Sequence, residues 1–258
     1  MTSVSITRRA AVLTAVFSIM GKSSGSAASA PTLVTERLTL KGQPLELKRY
    51  GAASRGKRPT VLLLHGSKGL DANYQAYDRY ACDLAGANID TLLFTYFQPG
   101  ELKAINEAQN ASSREVEYAR SVDRWVSLVR SVASMAREHE NSSGSVGLLG
   151  FSLGGFVGVA AASDPMFSVL TVFYAGLPTF YTRRIDHLPP LLDIHGDADR
   201  SVSLSQGSKL VETAKRLGGV AELVVFRNEG HGFDLDLSNR DAFNARQRAI
   251  AFTAQWLR

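Results

Sequence analysis

Gly150-Phe151-Ser152-Leu153-Gly154 sets a serine between two glycines, with one residue on either side and Gly155 following. The run Ser145 to Leu149 before it suits a short buried strand, and Phe156 to Ala162 after it suits a helix. A serine on a sharp strand-to-helix turn has its hydroxyl held out in front of a sheet, where a histidine can take its proton. Small neighbours are needed because the backbone crowds itself there. The simpler alternative is a glycine-rich turn whose serine only caps the helix that follows.

Partners for such a serine follow in the order serine, acid, histidine. Leu191 to Gly196 is a second apolar run, followed by Asp197-Ala198-Asp199-Arg200. Glu222 to Phe226 reads as a strand, with Glu229-Gly230-His231-Gly232-Phe233 just beyond. His231 would accept the Ser152 proton and return it to the leaving group. Two acids compete to orient it. Asp199 fits the pattern H-G-x-x-D-x-x-V, carried by His195, Gly196, Asp199 and Val202, while Asp197 suits a backbone hydrogen bond in the turn. Asp234 and Asp236 read as helix-approach or surface residues, His195 as packing at a strand end, and His139 and His187 as surface residues. No pair of histidines has metal-ligand spacing, so neither metal nor organic cofactor is expected.

Acyl transfer also needs N–H donors for the developing oxyanion. The amide of Leu153, next to the serine, is one candidate. The second is expected in the loop His65-Gly66-Ser67-Lys68-Gly69, after the apolar strand Pro59 to Leu64. Ser67 is favoured there, with Lys68 the alternative.

From about Pro59 onward the chain resembles the dienelactone hydrolase branch of the α/β-hydrolases. The segments that carry the likeness are LLLHGSKGL, GLLGFSLGG, LLDIHGDADRSV and NEGHGF. The resemblance implies an α/β-hydrolase fold with a triad at Ser152, Asp199 and His231. It also exposes departures. Dienelactone hydrolases use a cysteine nucleophile where Ser152 stands, a glutamate where Gly66 stands, and an arginine shortly after the histidine. Here that last stretch is Gly232-Phe233-Asp234-Leu235, without a cation. The scaffold and triad transfer; the family's own lactone does not.

The first residues address the chain to a compartment. Arg8-Arg9 directly precede an apolar run from Ala10 to Met20, followed by a stretch rich in small residues up to Ala30. The run is too short to span a membrane. Its layout matches a bacterial export signal of twin-arginine type, cleaved near Ala28. A periplasmic or secreted protein is therefore expected, with no stable membrane span. Without residues 1–28 the balance is 26 basic against 24 acidic residues, and the net charge falls from +5 to +2. Nothing in that balance calls for a nucleic-acid partner. Cys82 is the single cysteine, so no internal disulfide can form, and it reads as a buried structural thiol.

Residues 29–258 suit one domain. Thr32–Leu40 and Gln43–Tyr50, separated by Lys41-Gly42, read as antiparallel edge strands, with Arg55 to Arg58 a solvated turn into the first buried strand. Helices are expected at 71–86, 112–137, 203–217 and 239–257, with strands at 89–97 and 167–174. Ser112 and Glu115 have the spacing of a capping box. Strands alternating with helices give a mostly parallel sheet with helices on both faces.

Tyr96 and Phe97 after one strand, and Phe180 and Tyr181 after another, could supply aromatic walls for a substrate. Arg183 and Arg184 could meet an anionic group but read as solvated. With no large cap insertion, an open, shallow site for small esters is expected. The function expected is an exported serine hydrolase acting on a small-molecule carboxylic ester or lactone. The rivals are a peptidase of prolyl-oligopeptidase type and a non-catalytic binding protein on the same scaffold.

Overall fold

A computed structural model describes residues 31–54 and 56–257. The segment read as an export signal lies outside these residues. Strands β1 (Thr32–Leu40) and β2 (Gln43–Gly51) form a hairpin turned at Lys41-Gly42, both at positive φ. The sheet continues with β3 (Arg58–Leu64), β4 (Asp90–Phe94), β5 (Ser142–Phe151), β6 (Phe167–Phe173), β7 (Leu191–Gly196) and β8 (Ala221–Phe226). Its eight strands lie in the order β1-β2-β4-β3-β5-β6-β7-β8. β1 and β2 pair antiparallel at one edge, β2 meets β4 antiparallel, and every other neighbour is parallel.

The helices are α1 (Tyr74–Gly86), α2 (Glu101–Glu107), α3 (Ala111–Glu138), α4 (Leu153–Ala161), α5 (Leu204–Arg216) and α6 (Arg240–Trp256). Side chains alternate across a strand, so each strand feeds two cores. Leu62 and Leu64 pack with α3 and α4, as do Leu148 and Leu170. Val61 and Leu63 face the other way, into a cluster with Tyr77, Tyr80 and Leu84 of α1 and Ala249 and Phe252 of α6. The sheet is thus covered on both faces, as a parallel sheet requires.

Several boundaries differ from expectation for local reasons. β4 stops at Phe94, so Tyr96 and Phe97 leave the ladder and turn inward. No sequence signal announced α2, whose Glu101 accepts hydrogen bonds from Ser121, Arg124 and the Trp125 indole. Helix α3 begins before Ser112. Asn110 caps it, accepting from the Ser113 amide at 2.9 Å, while Ser113 Oγ accepts from the Asn110 amide at 3.3 Å. The capping box is therefore Asn110–Ser113, not Ser112–Glu115. Arg58 is no solvated turn residue either: it is buried and pairs with Asp90 at 2.7 Å. No helix joins β6 to β7; residues 174–190 form one long connection over the α3–α4 face. Cys82, expected to be buried, is half-buried on α1, and burial pushes its thiol pKa up. No helix among the described residues is long and apolar enough to cross a membrane.

The cap assignment is testable. Asn110→Ala should cost about 1 kcal/mol of stability, whereas Ser112→Ala should leave the urea midpoint nearly unchanged at constant slope.

Candidate active site

Ser152, Asp199 and His231 stand just past β5, β7 and β8, so all three lie at the C-terminal edge of the parallel sheet. Loops at that edge form the usual ligand crevice of open α/β sheets. Ser152 has φ 51° and ψ −119°, a conformation that side chains rarely adopt. Its amide donates to the Phe173 carbonyl at 3.0 Å, and its own carbonyl accepts from Gly155 and Phe156 at 2.8 and 3.1 Å. The glycines around it are required by close approach. A Cβ on Gly154 would collide with the Leu64 and His65 carbonyls, and one on Gly150 with the Gly154 carbonyl.

The three side chains form one hydrogen-bonded line. Ser152 Oγ donates to His231 Nε2 at 2.9 Å, and His231 Nδ1 donates to Asp199 Oδ2 at 2.7 Å. Asp199 Oδ1 accepts from the Ser201 and Val202 amides at 2.8 and 2.9 Å. An ionised carboxylate can only accept, which fixes the proton on Nδ1 and leaves Nε2 as a base facing the hydroxyl. The Asp199 side chain is 0% exposed and that of His231 26%, so the charge is dry while the ring reaches solvent. The two loops that carry them are tied together, with Asp197 N donating to the Phe226 carbonyl and Ala198 N to the Glu229 carbonyl, each at 3.0 Å. Asp197 itself accepts from the Asn228 amide at 2.6 Å, in the turn role expected of it.

The loop after β3 lies against the serine. A Cβ on Gly66 would sit 3.7 Å from Ser152 Cβ. Gly66 is held at both ends: its amide donates to Tyr77 Oη at 3.1 Å, and its carbonyl accepts from His65 Nδ1 at 2.8 Å. Burial lowers the His65 pKa to about 4 and raises that of Tyr77 to about 12, so both stay neutral braces. Ser67 and Lys68 follow directly, with the Ser67 side chain beside Tyr118. Leu153 opens α4, where the first amides have no partner within the helix.

The expected substrate residues divide. Tyr96 is wholly buried; it stacks on His65 at 4.2 Å and donates to the His65 carbonyl at 2.7 Å. It braces the loop and cannot touch substrate. Tyr181 instead lines a cavity of about 330 Å³ with Lys41, Ser127, Arg130 and Arg183, whose walls include none of Ser152, Asp199 and His231. Arg183 pairs with Asp123 at 2.9 Å. Phe180 stays with the site's neighbourhood, packing on Phe156 at 6.0 Å and Tyr118 at 5.4 Å. The sequence did not single out Phe156 or Tyr118 as its neighbours, although Phe156 lies four residues beyond Ser152, about one helical turn.

Asp234, read as a helix-approach or surface residue, does lie on the approach to α6 but is fully buried. It accepts from Tyr80 Oη at 2.9 Å, and its other oxygen faces the hydroxyl of Tyr174. The ring of Tyr174 in turn packs against His231 at 4.4 Å. The signal available was position alone: an aspartate three residues past the histidine, in a short turn of helix leading to α6. Among the described residues no cluster of metal-ligating side chains occurs.

A dienelactone hydrolase family model matches residues 52–258. The chain belongs to the dienelactone hydrolase family. Solved structures agree on the fold. A dienelactone hydrolase from Anabaena variabilis is 17% identical, with 89% of this chain and all of that one covered and a TM-score of 0.70. A cold-adapted esterase from an Arctic intertidal metagenomic library is 16% identical, covering 94% and 100% at a TM-score of 0.64. Pyrococcus horikoshii acylaminoacyl peptidase is 13% identical at a TM-score of 0.67, but the 89% of this chain that aligns spans only 42% of that protein. Comparison with curated protein sequences gives no match. As a family member the chain is a hydrolase of α/β-hydrolase fold, and that family points to a small-molecule substrate.

Burial raises the Asp234 carboxyl from 3.8 to about 6. The folded chain then holds this proton more tightly than the unfolded one. Its stabilising contribution is complete below about pH 4 and is lost as pH rises through 6, amounting to roughly 3 kcal/mol. The unfolding free energy of wild type minus that of Asp234→Asn should therefore fall from pH 4 to pH 7. A constant difference would show that the carboxyl does not titrate in that window.

Proposed function

We propose that this hydrolase is an exported serine esterase that cleaves neutral carboxylic esters through an acyl-enzyme. The observation that carries the reading is the unbroken line from Ser152 to His231 to Asp199, at 2.9 and 2.7 Å. Ser152 Oγ attacks the ester carbonyl as its proton passes to His231 Nε2. Asp199 keeps the ring in the tautomer that leaves Nε2 free and stabilises the imidazolium. The oxyanion would rest on the amide of Leu153 and that of Ser67. Collapse expels the alkoxide, which takes the proton from His231, and leaves the acyl group on Ser152. Water then attacks, giving its proton to His231, and the carboxylic acid departs with Ser152 restored.

Serine replaces the family's cysteine, and Gly66 and Gly232–Leu235 replace its glutamate and arginine. With no cation after His231, an anionic lactone has no counter-charge there. Phe156, Phe180 and Tyr118 offer an apolar wall instead. The Arg8-Arg9 pair, the apolar run and the small residues up to Ala30 support export to the periplasm or medium.

The test is hydrolysis of p-nitrophenyl esters of increasing acyl length. Ser152→Ala and His231→Ala should each lower kcat/KM by about 10⁴-fold or more, and the double variant should lose no more than either. Wild-type turnover that survives Ser152→Ala would reject the reading. Labelling by a fluorophosphonate without ester turnover would favour a peptidase, and neither would favour a binding protein.

A further inference from the structure

Directly behind Asp199 lies a second histidine and carboxylate that the proposed reaction does not use. His195 and Asp193 are side chains of β7, and both are fully buried. His195 Nδ1 is 3.2 Å from Asp193 Oδ2, and Nε2 is 2.9 Å from the Val202 carbonyl. The same Nε2 is 3.7 Å from Asp199 Oδ2, the oxygen that receives the proton of His231. Asp193, His195, Asp199, His231 and Ser152 thus make one continuous polar line from the sheet interior to the surface.

The partners of His195 fix its protons. A carbonyl only accepts, so Nε2 carries hydrogen. Burial raises the Asp193 carboxyl pKa, and the hydrogen bond and charge of His195 oppose that rise; an ionised Asp193 also only accepts, so Nδ1 carries hydrogen as well. A neutral imidazole has a single N–H and would aim a lone pair at one of these oxygens. An imidazolium paired with the Asp193 carboxylate satisfies both. Burial by itself would push the ring towards neutrality. The hydrogen bond and charge of Asp193, aided by the Val202 carbonyl and by Asp199, outweigh it and raise the His195 pKa above the ordinary 6.5. Apart from Asp193 and His195 themselves, Asp199 is the charged group acting on the pair among the described residues. Helix α5, packed over it, contributes Gly207 and no charge there. A Cβ on Gly207 would collide with Asp193 Oδ2 and come within 2.8 Å of His195 Nδ1.

We infer that Asp193 and His195 are positioning residues of the proposed esterase: a buried imidazolium–carboxylate pair that sets the positive edge of His195 against Asp199 and so limits how strongly Asp199 holds a proton on His231. The inference rests on the reading of Ser152, His231 and Asp199 as the reacting line. Its consequence has a definite sign. With the His195 charge removed, the negative field of Asp199 acts on His231 unopposed. The base is then protonated, and reaction lost, at a higher pH than in wild type. Asp193→Asn acts in the same direction, because His195 loses the anion that keeps it charged.

The experiment is the pH dependence of Ser152 labelling by a fluorophosphonate, which needs the His231 base but no natural substrate. Wild type, Asp193→Asn, His195→Gln and the double variant are compared, with thermal unfolding in parallel. The acid limb should move up by about half a pH unit in each single variant and no further in the double. A limb unmoved in both single variants, whatever their stability, overturns the inference. Should the variants not fold, ring-nitrogen resonances of ¹⁵N-histidine in the wild-type chain, assigned against His231→Ala, decide it. Two protonated nitrogens on His195 at pH 7.5 support the pair, and one overturns it. Failure of the wild-type chain to label would count against the serine-hydrolase reading, and the resonances would still report on the pair.

Discussion

Ser152 sits at φ 51° and ψ −119°, and the rest of the site depends on the chain being held there. A non-glycine residue in such a conformation costs on the order of 1–3 kcal/mol and persists only where its surroundings over-determine it. Here they do. Gly154 brings the first turn of α4 hard against the carbonyls ending β3, and Gly155 lets the same turn settle on Ala175. The Phe173 carbonyl accepts the Ser152 amide, so the elbow is pinned to β6 as well as β3. One strained residue therefore ties together the strand that leads into Ser152, the strand that precedes the Gly66–Ser67 loop, and the strand that ends at Phe173, just before Tyr174. The register of the parallel sheet and the placing of the hydroxyl are one constraint.

A second constraint is the gradient of hydration along the polar line. Asp193, His195 and Asp199 are dry, His231 is partly wet, and Ser152 faces the open edge. In a low-dielectric interior a carboxylate is costly unless hydrogen bonds and opposite charge compensate it. Asp199 meets that demand with two amides and one imidazole. The same desolvation makes its orientation rigid, which is what the imidazole needs. Polarity outside is cheap and loosely held; polarity inside is costly and fixed, and the chemistry is mounted on the fixed end.

Much of this was legible in the sequence because it is encoded locally. The two-residue alternation of β1 and β2, the apolar runs of β3 and β6, and the glycines around Ser152 each act through neighbours in the chain. The pattern from His195 to Val202 separated Asp199 from Asp197, since an aspartate in that spacing can accept the Ser201 and Val202 amides. What was not legible depends on partners far away. Asp234 gives no local sign that Tyr80, 154 residues earlier, will donate to one of its oxygens. Tyr96 read as a strand-end aromatic, yet β4 stops early and the ring is drawn under α3 by His65 and Trp125. Tyr181 went astray in the same manner. It is adjacent to Phe180, but a turn closed by its amide on the Pro178 carbonyl sends the two rings to different neighbours.

Among the described residues no cap domain presses on the His231 loop, which keeps its geometry by other means. Two supports reach the ring from different directions. Asp199 fixes it in its own plane through Nδ1, and Tyr174 lies 4.4 Å from it with the rings tilted by 53°. Tyr174 is itself constrained: its backbone is at φ 41°, its amide donates to the Ile194 carbonyl at 2.8 Å, and its hydroxyl faces Asp234. Because Asp234 follows His231 by three residues, the loop that presents the histidine also carries the carboxyl that the hydroxyl of Tyr174 faces. A small hydrolase can leave its reacting edge open to exposed esters when the imidazole is clamped from below in this way. On the proposed esterase reading, closure over the substrate is then not needed to assemble the site, and selection among esters falls to the aromatic side chains Phe156, Phe180 and Tyr118.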